Sequence, residues 1–335
     1  ANDLLLTLPR VDTQSLSDNG AVYLIKDIAS RSGIFSLASS SSYSAAWHGA
    51  FGGGNLGGNT LGGQAVVVAN VDGNAYANDL FISTPLSDAV ATVGGAVYLI
   101  RDADKKSGDL SLTSTSNYAV RWGGAIASDQ LSRVDDSNAA VYPIDLDGDG
   151  VKDDLLLACI HCDIASRVDN GGVYMIKDVN TLSGNRTLAS DYDAVWLPLT
   201  NGDKLTFTNG GGPGVQLVNV DGNSIANDMV LVCPLCDGQS RTDNGAVMLV
   251  NDIASRSGTL GLATVANLMF RYDGSQTNDM LGDNGHSRGS VQVVDADGDG
   301  KTRDILIGAR FANTGKSDAG ALYWVKDLNT FVGVV

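Results

Sequence analysis

Four acidic loops carry the clearest chemistry in this chain. They are Asn70-Val71-Asp72-Gly73-Asn74 closing at Asp79, Asp145-Leu146-Asp147-Gly148-Asp149 closing at Asp153-Asp154, Asn219-Val220-Asp221-Gly222-Asn223 closing at Asp228, and Asp295-Ala296-Asp297-Gly298-Asp299 closing at Asp304. Oxygen-bearing side chains at alternate positions, a glycine for the sharp turn and a later carboxylate form the donor set that wraps a hard cation of calcium's size. Four such loops in register predict about four Ca²⁺ sites. The second and fourth loops are built on Asp, whereas the first and third put Asn70 and Asn74, or Asn219 and Asn223, in the outer positions. Affinity follows ligand charge, so the Asp-rich loops are expected to fill first.

Two further motifs bear chemistry. Cys159-Ile160-His161-Cys162 and Cys233-Pro234-Leu235-Cys236 each begin five residues after a loop-closing Asp. Local disulfides Cys159–Cys162 and Cys233–Cys236 suit an extracellular calcium protein. Two CxxC pairs are also a zinc ligand set, and free thiols are a third reading. The three histidines, His48, His161 and His286, fall at three different places and show no nucleophile partner by motif. The chain therefore reads as a non-enzyme, with plentiful Asp already accounted for by cation binding.

The elements that position these loops recur. Gly20-Ala21-Val22-Tyr23-Leu24-Ile25 returns at Gly95–Ile100, Gly172–Ile176, Gly245–Val250 and Gly320–Val325, with Tyr23, Tyr98, Tyr174, Met248 and Tyr323 spaced by 75, 76, 74 and 75 residues. A fixed period over the whole length means one repeat architecture. Each unit reads as an apolar strand into the acidic loop (Ala65–Ala69), a second strand (Asp79–Ser83), a third (Ala96–Ile100), and a fourth segment from Asp109–Leu112 on to Tyr118–Gly123. Short β-branched and aromatic runs bounded by Gly, Asn, Asp and Ser are strand signals. Four strands repeated radially predict an all-β fold, a β-propeller of about five four-stranded antiparallel blades. Residues 1–335 form one domain, with units at approximately 3–78, 79–153, 154–227, 228–303 and a partial 304–335. Trp47, Trp122, Trp196 and Phe270 recur in register and are expected to pack between blades. The stretches Gly52–Gly58, Ser128–Arg133 and Gln276–Leu281 vary between units, which marks them either as recognition loops or as filler.

Composition narrows the function. The formal charge is −16, and all 38 acidic residues are Asp. Asp prefers turns and cation sites over helix interiors. So acidic a surface repels phosphate backbones, which excludes nucleic acid as a partner. No apolar run approaches the ~20 residues that span a bilayer as a helix. No signal peptide is expected within this sequence, since Ala1–Leu4 aligns with the middle of a repeat; any targeting segment is expected to be removed or to lie outside it.

The order of these motifs resembles a known family. Arg121-Trp122-Gly123-Gly124-Ala125-Ile126-Ala127, then Asp145-Leu146-Asp147-Gly148-Asp149-Gly150 and Asp154-Leu155-Leu156-Leu157, is similar to the FG-GAP repeat of the integrin alpha-subunit propeller. The resemblance implies antiparallel four-stranded blades, calcium between each blade's first two strands, and recognition on the opposite face. This chain departs from the family in having Trp for the phenylalanine, a final Asp one position later, a longer repeat and about five units. The expectation is an extracellular or cell-surface calcium-binding propeller for adhesion or matrix interaction, with a protein or carbohydrate ligand. Two alternatives stand beside it. One is a self-assembling filament or surface-layer subunit: the chain starts at Asn2-Asp3-Leu4 and stops at Gly333-Val334-Val335, leaving a terminal blade incomplete and a sheet edge open. The other is the propeller domain of a carbohydrate-acting enzyme.

Overall fold

The computed structural model describes residues 2–58, 65–133, 139–208, 213–283, 285 and 289–334. They form strands and short 3₁₀ turns. The strands are β1 (Leu4–Leu8), β2 (Ala21–Ile25) and β3 (Ala45–His48); then β4 (Val66–Ala69), β5 (Asp79–Thr84), β6 (Ala96–Ile100), β7 (Gly108–Ser111) and β8 (Val120–Gly123). The next unit supplies β9 (Val141–Ile144), β10 (Asp154–Cys159), β11 (Gly172–Ile176), β12 (Gly184–Thr187) and β13 (Ala194–Leu197). The last two supply β14 (Val215–Val218), β15 (Asp228–Cys233), β16 (Ala246–Val250), β17 (Gly258–Gly261) and β18 (Phe270–Asp273), then β19 (Val291–Val294), β20 (Asp304–Ala309), β21 (Ala321–Val325) and β22 (Gly333–Val334).

Five sheets result, in the orders β1-β2-β3-β7, β4-β5-β6-β8-β12, β9-β10-β11-β13-β17, β14-β15-β16-β18-β22 and β19-β20-β21. The all-β expectation is met, but the strand count per sheet differs. The segment read as one fourth strand is two. β8 closes its own sheet antiparallel to β6, while β7 leaves and pairs parallel with β3 of the preceding sheet, Ala45 opposite Gly108 and Trp47 opposite Leu110. β12, β17 and β22 do the same. The cause is local. Asp102 sits at φ 51°, a 3₁₀ turn follows, and Gly108 at φ +76° redirects the chain outward. Asp178 with Gly184 and Asp252 with Gly258 repeat the device. The sheets also cut across the intervals read from sequence, because β4 pairs with β5 and the boundary at Asp79 falls inside that hairpin.

Consecutive sheets pack face to face. β5, β6, β10, β11, β15 and β16 are buried along their whole length, which is why they read as continuous apolar runs. Separate apolar clusters join the first sheet to the second, the second to the third, the third to the fourth and the fourth to the fifth. Trp47, Trp122, Trp196 and Phe270 are fully buried in these junctions, as expected. Among the described residues, no core cluster joins the first sheet to the fifth.

Two polar devices repeat at the junctions. Tyr43 donates its hydroxyl to Asp109 Oδ1 of the next unit's crossing strand at 2.6 Å, Tyr118 donates to Asn185 Oδ1 at 2.7 Å, and Tyr192 meets Thr259 Oγ1 at 3.3 Å. The cation after the third strand reaches carbonyls of the next unit's 3₁₀ turn. Lys26 Nζ donates to Asp104, Lys177 Nζ to Ala254, and Arg101 Nη2 to Val179 and Leu182 at 2.8 Å each.

Candidate metal centre

Each acidic loop bridges the first two strands of a sheet, so the ladder fixes its ends and the glycine fixes its path. Gly73, Gly148, Gly222 and Gly298 all lie at φ between 70° and 82°, where L side chains are strained. The loop-closing carboxylates prove to be pins. Asp79 accepts the backbone N–H groups of Val71 (2.8 Å) and Asp102 (2.8 Å), one on each oxygen. Asp154 accepts Leu146 and Asp178 (3.0 and 3.1 Å), Asp228 accepts Val220 and Asp252 (2.7 and 2.9 Å), and Asp304 accepts Ala296 and Asp327 (3.1 and 2.9 Å). All four are buried. Burial pushes the carboxyls of Asp79, Asp154 and Asp228 above the ordinary range, against the pull of these backbone donors. They tie each loop to the αL turn after the third strand.

The other polar side chains divide the loops into two chemical kinds. In the second loop, Asp145, Asp147 and Asp149 bring one carboxylate oxygen each within 4.8 Å of one another. Backbone donors orient them. Gly148 and Gly150 N–H groups hold Asp145 (2.7 and 2.9 Å), Asp149 N–H holds Asp147 (3.1 Å), and Val151 N–H holds Asp149 (2.7 Å). Among the described residues, no Lys, Arg or His pairs with these three. Asp153 stands beside them, its carboxyl raised to about 6 by burial and then by the charges of Asp154 and Asp149.

The fourth loop repeats this triad in Asp295, Asp297 and Asp299. Here the chain supplies its own cations. Arg303, at the position of Asp153, donates to Asp299 Oδ2 at 2.9 Å and to Asp327 at 2.8 Å, and Lys326 Nζ lies 2.6 Å from Asp297. Lys326 holds the Asp297 carboxyl below its usual value.

The Asn-type loops are closed by amides. Asn74 Nδ2 donates to Asp72 (3.0 Å) and to Asn78 Oδ1 (3.1 Å), and Asn78 donates on to Asp104 (2.8 Å). Asn223 bridges Asp221 (3.0 Å) and Asn227 (3.2 Å) in the same way. An N–H thus sits where the Asp-rich loops offer another carboxylate, while Asn70 Oδ1 is buried without a donor.

The cysteines form two disulfides, Cys159–Cys162 and Cys233–Cys236, with Cα separations of 5.5 and 5.3 Å. No thiolate is therefore left for zinc. His48 Nε2 lies 3.0 Å from Asp109, but its Nδ1 is buried without a partner, so no hydroxyl completes a triad. His161 lies 3.4 Å from Asp169, and His286 is outside the described residues. Two clefts, of about 440 and 510 Å³, open beside the loops; the first is lined by Asp145, Lys152 and Ile225, the second by Leu5, Val68 and Tyr76.

Some important residues were not singled out from sequence. Asp129, Asp203 and Asp279 recur at the repeat spacing and are buried. Asp129 accepts the Ile126 N–H (2.8 Å) and that of Asp163 in the next unit (3.0 Å). Asp129 and Asp279 lie in stretches read as variable loops, and those stretches are in part anchors. Leu56, Leu131 and Leu281 are buried in them, bonded to the backbone of Asn19, Gly94 and Asn244. No protein-family model matches the chain, and no curated protein matches it.

Proposed function

We propose that this chain is a non-catalytic, calcium-organised extracellular scaffold, an open series of FG-GAP-like propeller blades that holds loops for adhesion or matrix contact. The observation that carries the reading is the Asp145–Asp147–Asp149 triad. Three carboxylates held within 4.8 Å, with no ion pair of their own among the described residues, concentrate charge that a divalent cation would neutralise. Asp145, Asp147 and Asp149 would supply the ligands with Asp153 beside them, while Asp154 pins the loop so that they stay aimed inward. The Asp295–Asp297–Asp299 loop ranks second because Arg303 and Lys326 compete with the ion. The amide-closed loops at Asn70 and Asn219 rank last.

Extracellular residence is supported by the two disulfides, which persist in oxidising compartments. Catalysis has less support, since His48 has no nucleophile and neither cleft is lined by histidine. Calorimetric titration with Ca²⁺ tests the proposal. The tightest class of sites should vanish in Asp147→Asn and survive in Asp221→Asn. Equal affinity in both variants, or no calcium uptake by the unaltered chain, would overturn it.

A further inference from the structure

Neighbouring acidic loops touch, because the seventh residue of one reaches the glycine of the loop before it. Ile225, between β14 and β15, lies over Gly148, between β9 and β10. A Cβ on Gly148 would stand 2.9 Å from Ile225 Cδ1 and 3.1 Å from its Cγ1. One unit earlier, Val151 lies over Gly73, where such a Cβ would stand 3.2 Å from Val151 Cγ2, and Lys152 N–H donates to the Asn70 carbonyl at 3.2 Å. The contact ends at the third loop. Gly222 has nothing within 4 Å, and the residue aligned with Val151 and Ile225 in the fourth loop is the exposed Lys301. Val151 and Ile225 are half-buried, whereas residues 147–150 and 221–224 beside them are exposed.

Gly148 is the joint of the second loop. It stands between Asp147 and Asp149 at φ +82°, with no side chain of its own to restrict its backbone. Its N–H holds Asp145 at 2.7 Å, and the Asp149 N–H just beyond it holds Asp147 at 3.1 Å. A shift at Gly148 therefore displaces two of the three clustered carboxylates. Ile225, Leu217 and Ile144 line the cleft of about 440 Å³ beside it, so the third unit supplies an apolar wall that limits such a shift. Ile225 is itself fixed by its own loop, since its N–H donates to Asn223 Oδ1 at 2.8 Å.

We propose that Ile225 is a positioning residue for the cation site of the neighbouring loop. It holds Gly148, and through it Asp145 and Asp147, so the second and third loops bind cations as a linked pair, while the fourth lacks this link. The role rests on calcium binding at the Asp145–Asp147–Asp149 triad, as proposed above. Affinity at such loops follows rigidity as well as ligand charge. Three like charges must be gathered around the ion, and a loop already held in place loses less freedom when they are. Linkage is reciprocal. A cation that fixes the second loop also fixes the seat of Ile225, and with it the amide-closed turn at Asn223.

Calorimetric titration of the whole chain with Ca²⁺ reads the link. Ile225→Ala should weaken the tightest class of sites about 5-fold or more. Ile225→Val keeps a branched side chain over Gly148 and should recover most of that loss. Lys301→Ala, the same position one loop later, should leave the tightest class unchanged. All three positions changed lie in surface loops, so each variant should fold, as circular dichroism would verify. Tight sites of equal affinity in the wild type and Ile225→Ala would overturn the linkage and leave calcium binding standing. So would an Ile225→Val chain as weak as Ile225→Ala, or a Lys301→Ala chain weakened to the same degree. No calcium uptake by the wild type would instead overturn the calcium site itself, and the linkage with it.

Discussion

Arg303 stands at the loop position that Asp153 holds two units earlier, and together with Lys326 on Asp297 it neutralises the fourth loop. Replacing it should move that loop toward the second: Arg303→Asp removes the cation on Asp299 and restores the fourth carboxylate, while Lys326 stays on Asp297. Calcium affinity of the Asp295–Asp299 loop should rise ~10-fold or more, read by titration against the unaltered chain. The pins obey a different logic. Asp154→Ala leaves the N–H groups of Leu146 and Asp178 without acceptors, and orphaned buried donors cost about 1–3 kcal/mol each. Chemical denaturation should show a loss of about 2–4 kcal/mol, even without calcium. From sequence the loops were legible as acidic turns between apolar strands, because the Asp, Asn and Gly spacing repeats in register. What spacing could not separate was the clustered carboxylate from the pin, since Asp154 and Asp145 are the same residue type, and only the backbone donors around Asp154 distinguish them.

At the scale of the element, the repeated glycines show why a motif can be legible while its cause is hidden. Gly95, at φ +76°, lies under the strand-like crossing of Leu131, and a Cβ there would meet the Leu131 nitrogen at 2.4 Å. Gly108, at the same φ, has nothing within 4 Å. Gly108→Ala should thus cost only the backbone strain, about 1–2 kcal/mol, and Gly95→Ala clearly more, as unfolding free energies would show. The strands themselves were readable from apolar runs, and so was the burial of Trp47, Trp122 and Trp196. The splitting of the fourth segment was not. Ser107-Gly108 marks a turn in any reading, but whether β7 rejoins its own sheet or crosses to β3 depends on distant contacts such as Tyr43 with Asp109, 66 residues apart. The Lys26, Arg101 and Lys177 links escaped notice because residue type varies along that register.

For the whole molecule, buried Asp residues set the pH response. Burial raises Asp79, Asp154, Asp228, Asp129 and Asp203 above their unfolded values. A raised carboxyl contributes stability that is complete below the unfolded pKa, near 4, and is lost as pH rises through the folded pKa. Asp109, held low first by Tyr43 and then by His48, works in the opposite sense but only below that range. Calcium-free protein should therefore melt higher at pH 5 than at pH 8, as scanning calorimetry would record. The repeat order made five successive sheets legible, whereas the exposure of Trp324 and Ile34 was not. The most direct check of the account is thermal unfolding at neutral pH in excess calcium and in chelator. At ~100 times the dissociation constant, calcium should add about 2.7 kcal/mol per filled site. The melting temperature should then rise by several degrees in the wild type and by less in Asp147→Asn. Identical melting with calcium and with chelator would contradict the central claim.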